Sequence, residues 1–229
     1  GSGSGGSWGA ASSGSAVFVA CEDLRAQLAV LIGVAPDALT LKDGFVRWDS
    51  GEKALSDVLA GTRLVSTGHY EPGASTEDMA ISSYGAFFAE VAVNHWTGET
   101  RVRRMTGAFG IGRVLNARTA RSQCLGGMTW CIGNALTEAL MFDPVDGHLV
   151  NCDLTEYHVP VNRDVPDLEV LLVEERDASA SPIQAKGVGE LGLCGGAAAI
   201  ANAIYDACGA RVFAYPMTPG RVIAAMPKD

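Results

Sequence analysis

The sequence predicts an α+β fold, and three observations support this prediction. Apolar residues at helical spacing alternate along the chain with short stretches of strand-like alternation. Of the 229 residues, 48% are hydrophobic and 19% are charged, so the chain can bury a sizeable core. Neither an internal repeat nor a sharp linker divides the sequence, which predicts one continuous α+β unit over residues 1–229.

The amino-terminal part is predicted to contain a helix and a hairpin. Leu24 and Leu28 belong to an apolar series at helical spacing, Ser13 or Ser15 could cap its start, and Gly33 follows as a stop signal. An Asp-Gly pair marks a tight turn further on. The predicted elements are a helix over 15–32, a hairpin over 38–48, a short helix over 55–60 and an exposed loop over 71–78.

The carboxyl-terminal part alternates between strands and helices. Strand-like alternation on both sides of Gly98 predicts a hairpin, and Pro166 blocks helix between two later strands. Gly209 ends a small-residue helix, while Thr218 and Pro219 are typical of a helix start. The predicted elements are a hairpin over 87–104, helices over 117–141 and 195–208, strands over 149–157, 168–174 and 211–215, and a final helix from 218.

The charge balance excludes some partners. There are 17 basic and 26 acidic residues, giving a net charge of −9 and a pI near 4.9, so nucleic acid is not an expected partner. No stretch of about 18–20 uninterrupted apolar residues predicts a membrane span, and the amino terminus lacks the pattern of a signal peptide. We therefore expect a cytoplasmic protein, or a periplasmic one if a partner carries the export signal.

The cysteine and histidine patterns do not indicate a protein-ligated metal site. No Cys-x-x-Cys pair occurs, and the four histidines have no clustered spacing. The cysteines are predicted to be reduced and mostly buried, although Cys194 lies about one helical turn beyond Glu190 and could line the same pocket. The six cysteines are Cys21, Cys124, Cys131, Cys152, Cys194 and Cys208.

The segment Lys186–Glu190 holds the first candidate functional residues. Gly187 and Gly189 would let the backbone approach a ligand closely, and Glu190 would point a carboxylate at it from the start of the following helix. Glu190 is therefore the candidate catalytic residue. The alternative is a tight loop whose acid favours the helix macrodipole and has no catalytic role.

The Gly/Ser-rich segment 5–14 is the second candidate. A small-residue run that enters a helix offers backbone N–H groups and hydroxyls to a phosphate or a pterin edge. The alternative is a flexible linker, which Trp8 and the continuation into an apolar helix argue against except at residues 1–4. The segment includes Gly6, Ser7, Trp8, Gly9 and Ala10.

A glycine-containing pattern in the predicted helix 117–141 is the third feature. Gln123 precedes Gly126, Gly127 and Gly133, and each helical glycine costs about 1 kcal/mol relative to alanine. These glycines indicate a close approach to another backbone or to a ligand. Helix packing and a pocket wall fit the pattern equally well.

These segments occur in the order found in one known family. The small-residue segment, the hairpin, the glycine helix and the motif ending at Glu190 resemble the carboxyl-terminal part of molybdenum hydroxylases, the xanthine oxidase and aldehyde oxidase family. Residues 190–192 read Glu-Leu-Gly and are more similar to bacterial aldehyde oxidoreductases than to the Glu-Pro-Pro of the xanthine oxidase branch. Residues 110–113 depart from the family's Asp-x-Gly-Arg.

The resemblance implies a fold and a set of site residues. The fold would be the carboxyl-terminal molybdopterin-binding domain of the large subunit, with mixed helices and antiparallel hairpins. Glu190 would be the active-site base, and the segment 6–10 would contact the cofactor together with Gly187, Val188 and Gly189. Burial beside the cofactor and the apolar Val188 and Leu191 would move the pKa of Glu190 toward the operating pH.

The resemblance also implies a reaction, a cofactor and partners. The reaction is hydroxylation of aldehydes or N-heteroaromatics with water as oxygen source, using molybdopterin with molybdenum, in the cytosine dinucleotide form. Iron–sulfur clusters and FAD would lie on partner chains. The family's amino-terminal two thirds is absent, so the chain would be a fragment or one piece of a split subunit. The alternative is a binding or assembly fragment without activity, while an unrelated hydrolase lacks a supporting nucleophile motif.

Overall fold

The computed structural model describes residues 5–71 and 78–228, which form two compact units. The first unit comprises Gly1–Ile81 and Asp177–Gln184, and the second comprises Ser82–Arg176 and Ala185–Asp229. The α+β prediction is confirmed. The single continuous unit over 1–229 stays a prediction, and each unit is described by itself. The possible linker at 1–4 and most of the predicted loop at 71–78 lie outside the described residues.

The first unit is one long helix with a small antiparallel sheet. Strands β1, β2 and β3 pair in that order, and Leu28, Ala29, Leu39 and Val46 form the core. The third strand was not predicted because its Gly-Glu-Lys sequence lacks apolar alternation. The elements are α1 (Ser15–Ile32), β1 (Thr40–Lys42), β2 (Phe45–Trp48), β3 (Gly51–Ala54) and α2 (Leu55–Leu59).

The ends of α1 show what local sequence does and does not predict. Gly33 adopts a left-handed conformation with φ 83°, as expected of a helix stop. The predicted serine cap is wrong, because a 3-10 turn at Gly5–Ser7 and a π-helical turn at Ala10–Gly14 lead directly into the helix. Gly14 occupies the capping position, and Ser15 is buried within the helical run.

The second unit has a three-stranded sheet in the order β4, β5, β6. Strand β4 (Tyr84–Val93) pairs antiparallel with β5 (Thr100–Gly110), which confirms the predicted hairpin. Strand β6 (Asp167–Val173) pairs parallel with β5, a pairing that the sequence analysis did not specify. The parallel pairing follows from the long connection after β5, which carries a helix and returns the chain in the same direction.

Three helices complete the second unit, namely α3 (Ala117–Leu136), α4 (Gly196–Cys208) and α5 (Pro219–Ala225). Asn116 caps α3 by accepting a hydrogen bond from the backbone N–H of Thr119 at 3.1 Å. The helix ends earlier than predicted, because the side chain of Asn151 bonds the carbonyl of Ala139 (2.6 Å) and the N–H of Met141 (2.9 Å). These bonds hold the following residues in a loop.

Two predicted strands are wrong. Residues 149–157 contain turns, because the carboxylate of Asp153 accepts hydrogen bonds from the N–H groups of Thr155 (2.8 Å) and Glu156 (3.2 Å). Residues 211–215 form no ladder within the described chain, and Arg211 instead lies 3.5 Å from the ring centroid of Tyr205. The apolar residues of these two segments alternate as in a strand, but no neighbouring strand pairs with either segment in the described chain.

The core of the second unit lies between the sheet and helices α3 and α4. Met105, Phe109, Met128, Ile200 and Ile204 are fully buried. The stretch Leu191–Cys208 is apolar enough and long enough to be a candidate membrane span. It comprises a short turn and the 13-residue α4, which at 1.5 Å per residue is about 20 Å long and shorter than a bilayer core of about 30 Å. Ala197, Ile200 and Ile204 form one buried face of α4, which packs in the core of the second unit.

The cysteines divide between core and surface. Cys124 and Cys131 are buried and Cys208 is partly buried, as predicted, whereas Cys21, Cys152 and Cys194 are exposed. The prediction that the cysteines are mostly buried is therefore wrong for half of them.

We expect Cys131 to resist alkylation in the folded protein. Burial raises the pKa of its thiol from 9.0 to about 12, so the reactive thiolate is scarce at about pH 8. Between pH 9 and about pH 12, Cys131 keeps its proton in the folded chain but loses it in the unfolded chain. The contribution of this thiol to the free energy of unfolding is therefore complete below pH 9 and is lost as the pH rises to about 12. Peptide mapping after iodoacetamide treatment should show labelled Cys152 and unlabelled Cys131. Equal labelling rates would contradict this assignment.

Candidate functional site

The loop that carries Glu190 is held by main-chain and side-chain hydrogen bonds in the second unit. Ala185 forms an antiparallel bridge with Gly112, and the N–H of Lys186 donates to the carbonyl of Ile111 at 2.9 Å. The hydroxyl of Ser83 donates to the carbonyl of Gly187 at 2.5 Å. These bonds attach the loop to the segments that flank the sheet.

Glu190 does not begin the long helix, contrary to the sequence prediction. It precedes a 3-10 turn at Leu191–Leu193, and α4 starts only at Gly196. Its carbonyl accepts hydrogen bonds from the N–H of Leu193 (3.1 Å) and the thiol of Cys194 (3.4 Å). The interpretation of Glu190 as an acid that serves the helix macrodipole loses its structural basis, because no α-helix starts there.

The side chain of Glu190 is exposed and makes no polar contact in the described chain. Within the second unit as described, its carboxylate forms neither a hydrogen bond nor an ion pair. Val188 and Leu191 pack against the core, and the burial of Glu190 beside a bound cofactor stays a prediction. A free carboxylate on an anchored loop remains available to accept a proton from a ligand.

The glycines of the motif do not adopt an unusual backbone conformation. Gly187 and Gly189 are not among the described glycines with positive φ, which do include Gly112 at 66°. Their predicted role in the close approach of a ligand therefore does not depend on left-handed backbone and stays a prediction.

The glycine pattern of α3 is explained by backbone packing at Gly127. A Cβ there would lie 2.7 Å from the carbonyl carbon of Gly192, and a Cβ at Gly192 would lie 2.4 Å from the oxygen of Cys124. Helix α3 thus supports the turn that follows Glu190. Gly126 faces open space, and Gln123 is exposed, so these two residues leave the pocket-wall alternative open.

Alanine substitutions at Gly126 and Gly127 are expected to have opposite effects. Gly127→Ala should lower the free energy of unfolding by about 1–3 kcal/mol, because the added methyl group meets a backbone. Gly126→Ala should raise it by up to about 1 kcal/mol through helix propensity. Thermal unfolding of the two variants in the complete enzyme would measure this difference. A shift of the same sign in both would contradict the packing described here.

An ion pair that the sequence did not reveal lies beside the motif. The ammonium of Lys186 is 2.7 Å from Oε1 of Glu175, and the two side chains are 7% and 21% exposed. The same ammonium lies 5.7 Å from the ring centroid of Tyr84. The only signal in the sequence is a lysine among small and apolar residues, which does not identify its partner.

The segment 5–14 in the first unit begins with an uncommon backbone conformation. Gly6 (φ 58°, ψ 18°) and Ser7 (φ 61°) are both left-handed, which makes a tight turn before the helical run. No heavy atom lies within 4 Å of a Cβ built at Gly6, which leaves space for a ligand. Trp8 is 52% exposed, and Gly9 and Ala10 open the helical run.

Ser15 adds an unpartnered hydroxyl to this segment. Its side chain is fully buried, and its Oγ has no hydrogen-bond partner in the described structure. Buried hydroxyls normally find a partner. The open space beside Gly6, the small residues and the unpartnered hydroxyl of Ser15 fit a phosphate or a pterin edge, so the residues present are compatible with the cofactor that the resemblance implies.

Two cavities of the second unit lie away from the Glu190 carboxylate. A cavity of about 640 Å³ is lined by Arg103, Leu136 and Arg163 at the carboxyl-terminal end of α3. A cavity of about 420 Å³ is lined by Gly112 and Glu175 among others. Glu190 lines neither of them. Among residues 5–71 and 78–228, no group of three His, Cys, Asp or Glu could hold a metal ion.

Comparison with known proteins identifies relatives along most of the chain. Residues 1–166 match the family described as molybdopterin cofactor-binding domain. The chain is 44% identical over 225 residues to the aldehyde oxidoreductase molybdenum-binding subunit PaoC of Escherichia coli strain K12, a match that covers 98% of the chain and 31% of PaoC. The chain therefore spans about a third of the length of this relative.

Solved structures show the same fold. Quinoline 2-oxidoreductase from Pseudomonas putida 86 matches with a TM-score of 0.80 and 24% identity, over 95% of this chain and 30% of that one. The aldehyde oxidoreductase from Desulfovibrio desulfuricans ATCC 27774 matches with a TM-score of 0.66 and 28% identity, over 93% of this chain and 22% of that one. The fold predicted from the resemblance is confirmed.

Proposed function

Because the chain belongs to the molybdopterin cofactor-binding domain family, we propose that it is part of a molybdenum-dependent oxidoreductase in which Glu190 is the general base. The substrate class would be an aldehyde or an N-heteroaromatic compound. The names of PaoC and of the Desulfovibrio enzyme favour aldehydes. The observation that carries the proposal is the free carboxylate of Glu190 on an anchored loop of this family.

The proposed reaction balances as aldehyde plus water to carboxylic acid, two protons and two electrons. When bound, the molybdenum cofactor supplies the acceptor for the two electrons. Glu190 accepts one proton at a carboxylate oxygen as the oxygen of water bonds to the substrate carbon. Val188 packs against the core and so holds the loop in place.

The proposed cofactor contacts come from two segments. Gly6, Ser7, Trp8, Gly9 and Ala10 would hold the phosphate or pterin edge through backbone N–H groups. Gly187, Val188 and Gly189 would approach the cofactor from the Glu190 loop. We propose the cytosine dinucleotide form of molybdopterin, since the residues at 190–192 are similar to bacterial aldehyde oxidoreductases.

We propose two kinds of partner: the rest of the molybdenum subunit, and partner chains that carry electrons away. Large apolar side chains are exposed, including Trp96 (88%), Val145 (92%) and Phe213 (92%), as expected of a surface that other polypeptide covers. This polypeptide would correspond to the amino-terminal part of a molybdenum subunit. Electrons would leave through iron–sulfur clusters and FAD on partner chains. We propose a cytoplasmic location, with the periplasm as the alternative if a partner carries the export signal.

A second candidate is a binding or assembly fragment without activity. The exposure of Glu190 favours it, because a general base works best when water is excluded. Turnover measured at known molybdenum and pterin content separates the two candidates. The complete enzyme should contain molybdenum and reduce an artificial electron acceptor when an aldehyde is added. Bound cofactor without turnover of aldehydes or N-heteroaromatics would support the second candidate and contradict the first.

A further inference from the structure

The loop that carries Glu190 is attached at one end of the β4–β5–β6 sheet. Tyr84, Gly110 and Val173 are aligned across the three strands, so β4 begins where β5 and β6 end. One attachment to the loop comes from just beyond each strand. The hydroxyl of Ser83 binds the carbonyl of Gly187, the carbonyl of Ile111 binds the N–H of Lys186, and Glu175 binds the Lys186 ammonium.

These attachments leave little freedom at Glu190. Lys186 is held by a main-chain bond and by its ion pair, and Val188 packs on the core. On the other side, Gly192 lies against the backbone of α3 at Cys124 and Gly127. Glu190 therefore lies two residues from a fixed point in each direction, while its own carboxylate stays free.

The ion pair differs from the other charge pairs of the second unit in its burial. Lys186 and Glu175 are 7% and 21% exposed, whereas Arg104 and Glu90, 3.1 Å apart on the same sheet, are 63% and 59% exposed. A buried pair is costly to desolvate and is weak evidence of stability by itself, but it fixes geometry well. The second carboxylate oxygen of Glu175 is buried and has no hydrogen-bond partner in the described chain, so the bond to the Lys186 ammonium holds this carboxylate.

We propose that Lys186, through its ion pair with Glu175, is a positioning residue that sets where the Glu190 carboxylate meets the substrate. This inference rests on the proposed function of Glu190 as the base. It predicts that losing the ion pair lowers turnover without loss of cofactor, since a misplacement of about 1 Å in an active site can cost about 100-fold in rate.

The test uses the complete, cofactor-loaded enzyme and five variants. Lys186→Met removes the ammonium at similar length, and Lys186→Met with Glu175→Gln removes both charges, so that no unpaired buried charge disturbs folding. Arg104→Met is the matched control at an exposed pair on the same sheet. Lys186→Met with Glu190→Gln, compared with Glu190→Gln alone, tests whether Lys186 acts through the base.

We expect both ion-pair variants to lose at least about 10-fold in kcat at unchanged molybdenum content, with KM within about threefold, and the control to stay within about twofold. In the Glu190→Gln background, Lys186→Met should add no further loss. Backbone amides 187–191 should exchange hydrogen at least about 10-fold faster in the ion-pair variants than in the control. Unchanged kcat, unchanged exchange, or the same loss added on top of Glu190→Gln would each overturn the inference. Glu190→Gln alone tests the proposed function, so the two failures are distinguishable.

Discussion

Replacing Glu190 by glutamine in the complete enzyme is expected to lower kcat by about 10²–10⁴-fold. The amide keeps the shape of the side chain and its capacity for hydrogen bonds but cannot accept the proton released from water. Stability should change little, because the carboxylate forms no hydrogen bond or ion pair within the second unit as described. Steady-state kinetics with an aldehyde would measure kcat, a molybdenum assay would measure cofactor content, and thermal unfolding would measure stability.

A matched control is Glu156→Gln, which makes the same chemical change at an exposed glutamate of the same unit. Its turnover should stay near that of the unmodified enzyme. If Glu190→Gln keeps full turnover with full molybdenum content, Glu190 is not the base.

The isolated 229-residue chain is expected to bind little molybdopterin and to show no aldehyde oxidation. It corresponds to 31% of the length of PaoC, and the two cofactor segments proposed here make up only part of a site that encloses its ligand. Exposed apolar residues such as Trp96 and Phe213 would also lack the polypeptide that covers them. Molybdenum assay and turnover of the purified chain would measure this, with and without the remaining part of the subunit.

Supplying the remaining part should restore both cofactor binding and turnover. Turnover by the 229 residues alone would show that these residues contain a complete site. Cofactor binding without any turnover after the subunit is completed would favour the assembly function.

The sequence predicted correctly those helices and hairpins that end at a glycine or a tight-turn pair. Helix α1 ends at Ile32 because Gly33 is left-handed, and the hairpin turn at Asp43–Gly44 has the positive φ values that its sequence favours. The predicted strand at 149–157 failed because its apolar residues have no partner strand and Asp153 bends the chain. A parallel strand such as β6 depends on a long connection, which periodicity does not describe.

The candidate site was predicted from its resemblance to a family more than from spacing. The motif around Glu190 was found in this way, but its place before a short turn was not, since Gly195 separates that turn from α4. The ion pair of Lys186 with Glu175 could not be predicted, because it depends on the register of β6 against β5. Such contacts arise only from tertiary packing.

The measurement that tests the central claim most directly is the position of molybdenum in crystals of the complete enzyme, located by anomalous scattering. We expect the carboxylate of Glu190 to face the molybdenum atom, and the backbone of Gly6–Ala10 to contact the cofactor. A molybdenum atom far from Glu190, or a cofactor that does not touch Gly6–Ala10, would contradict this.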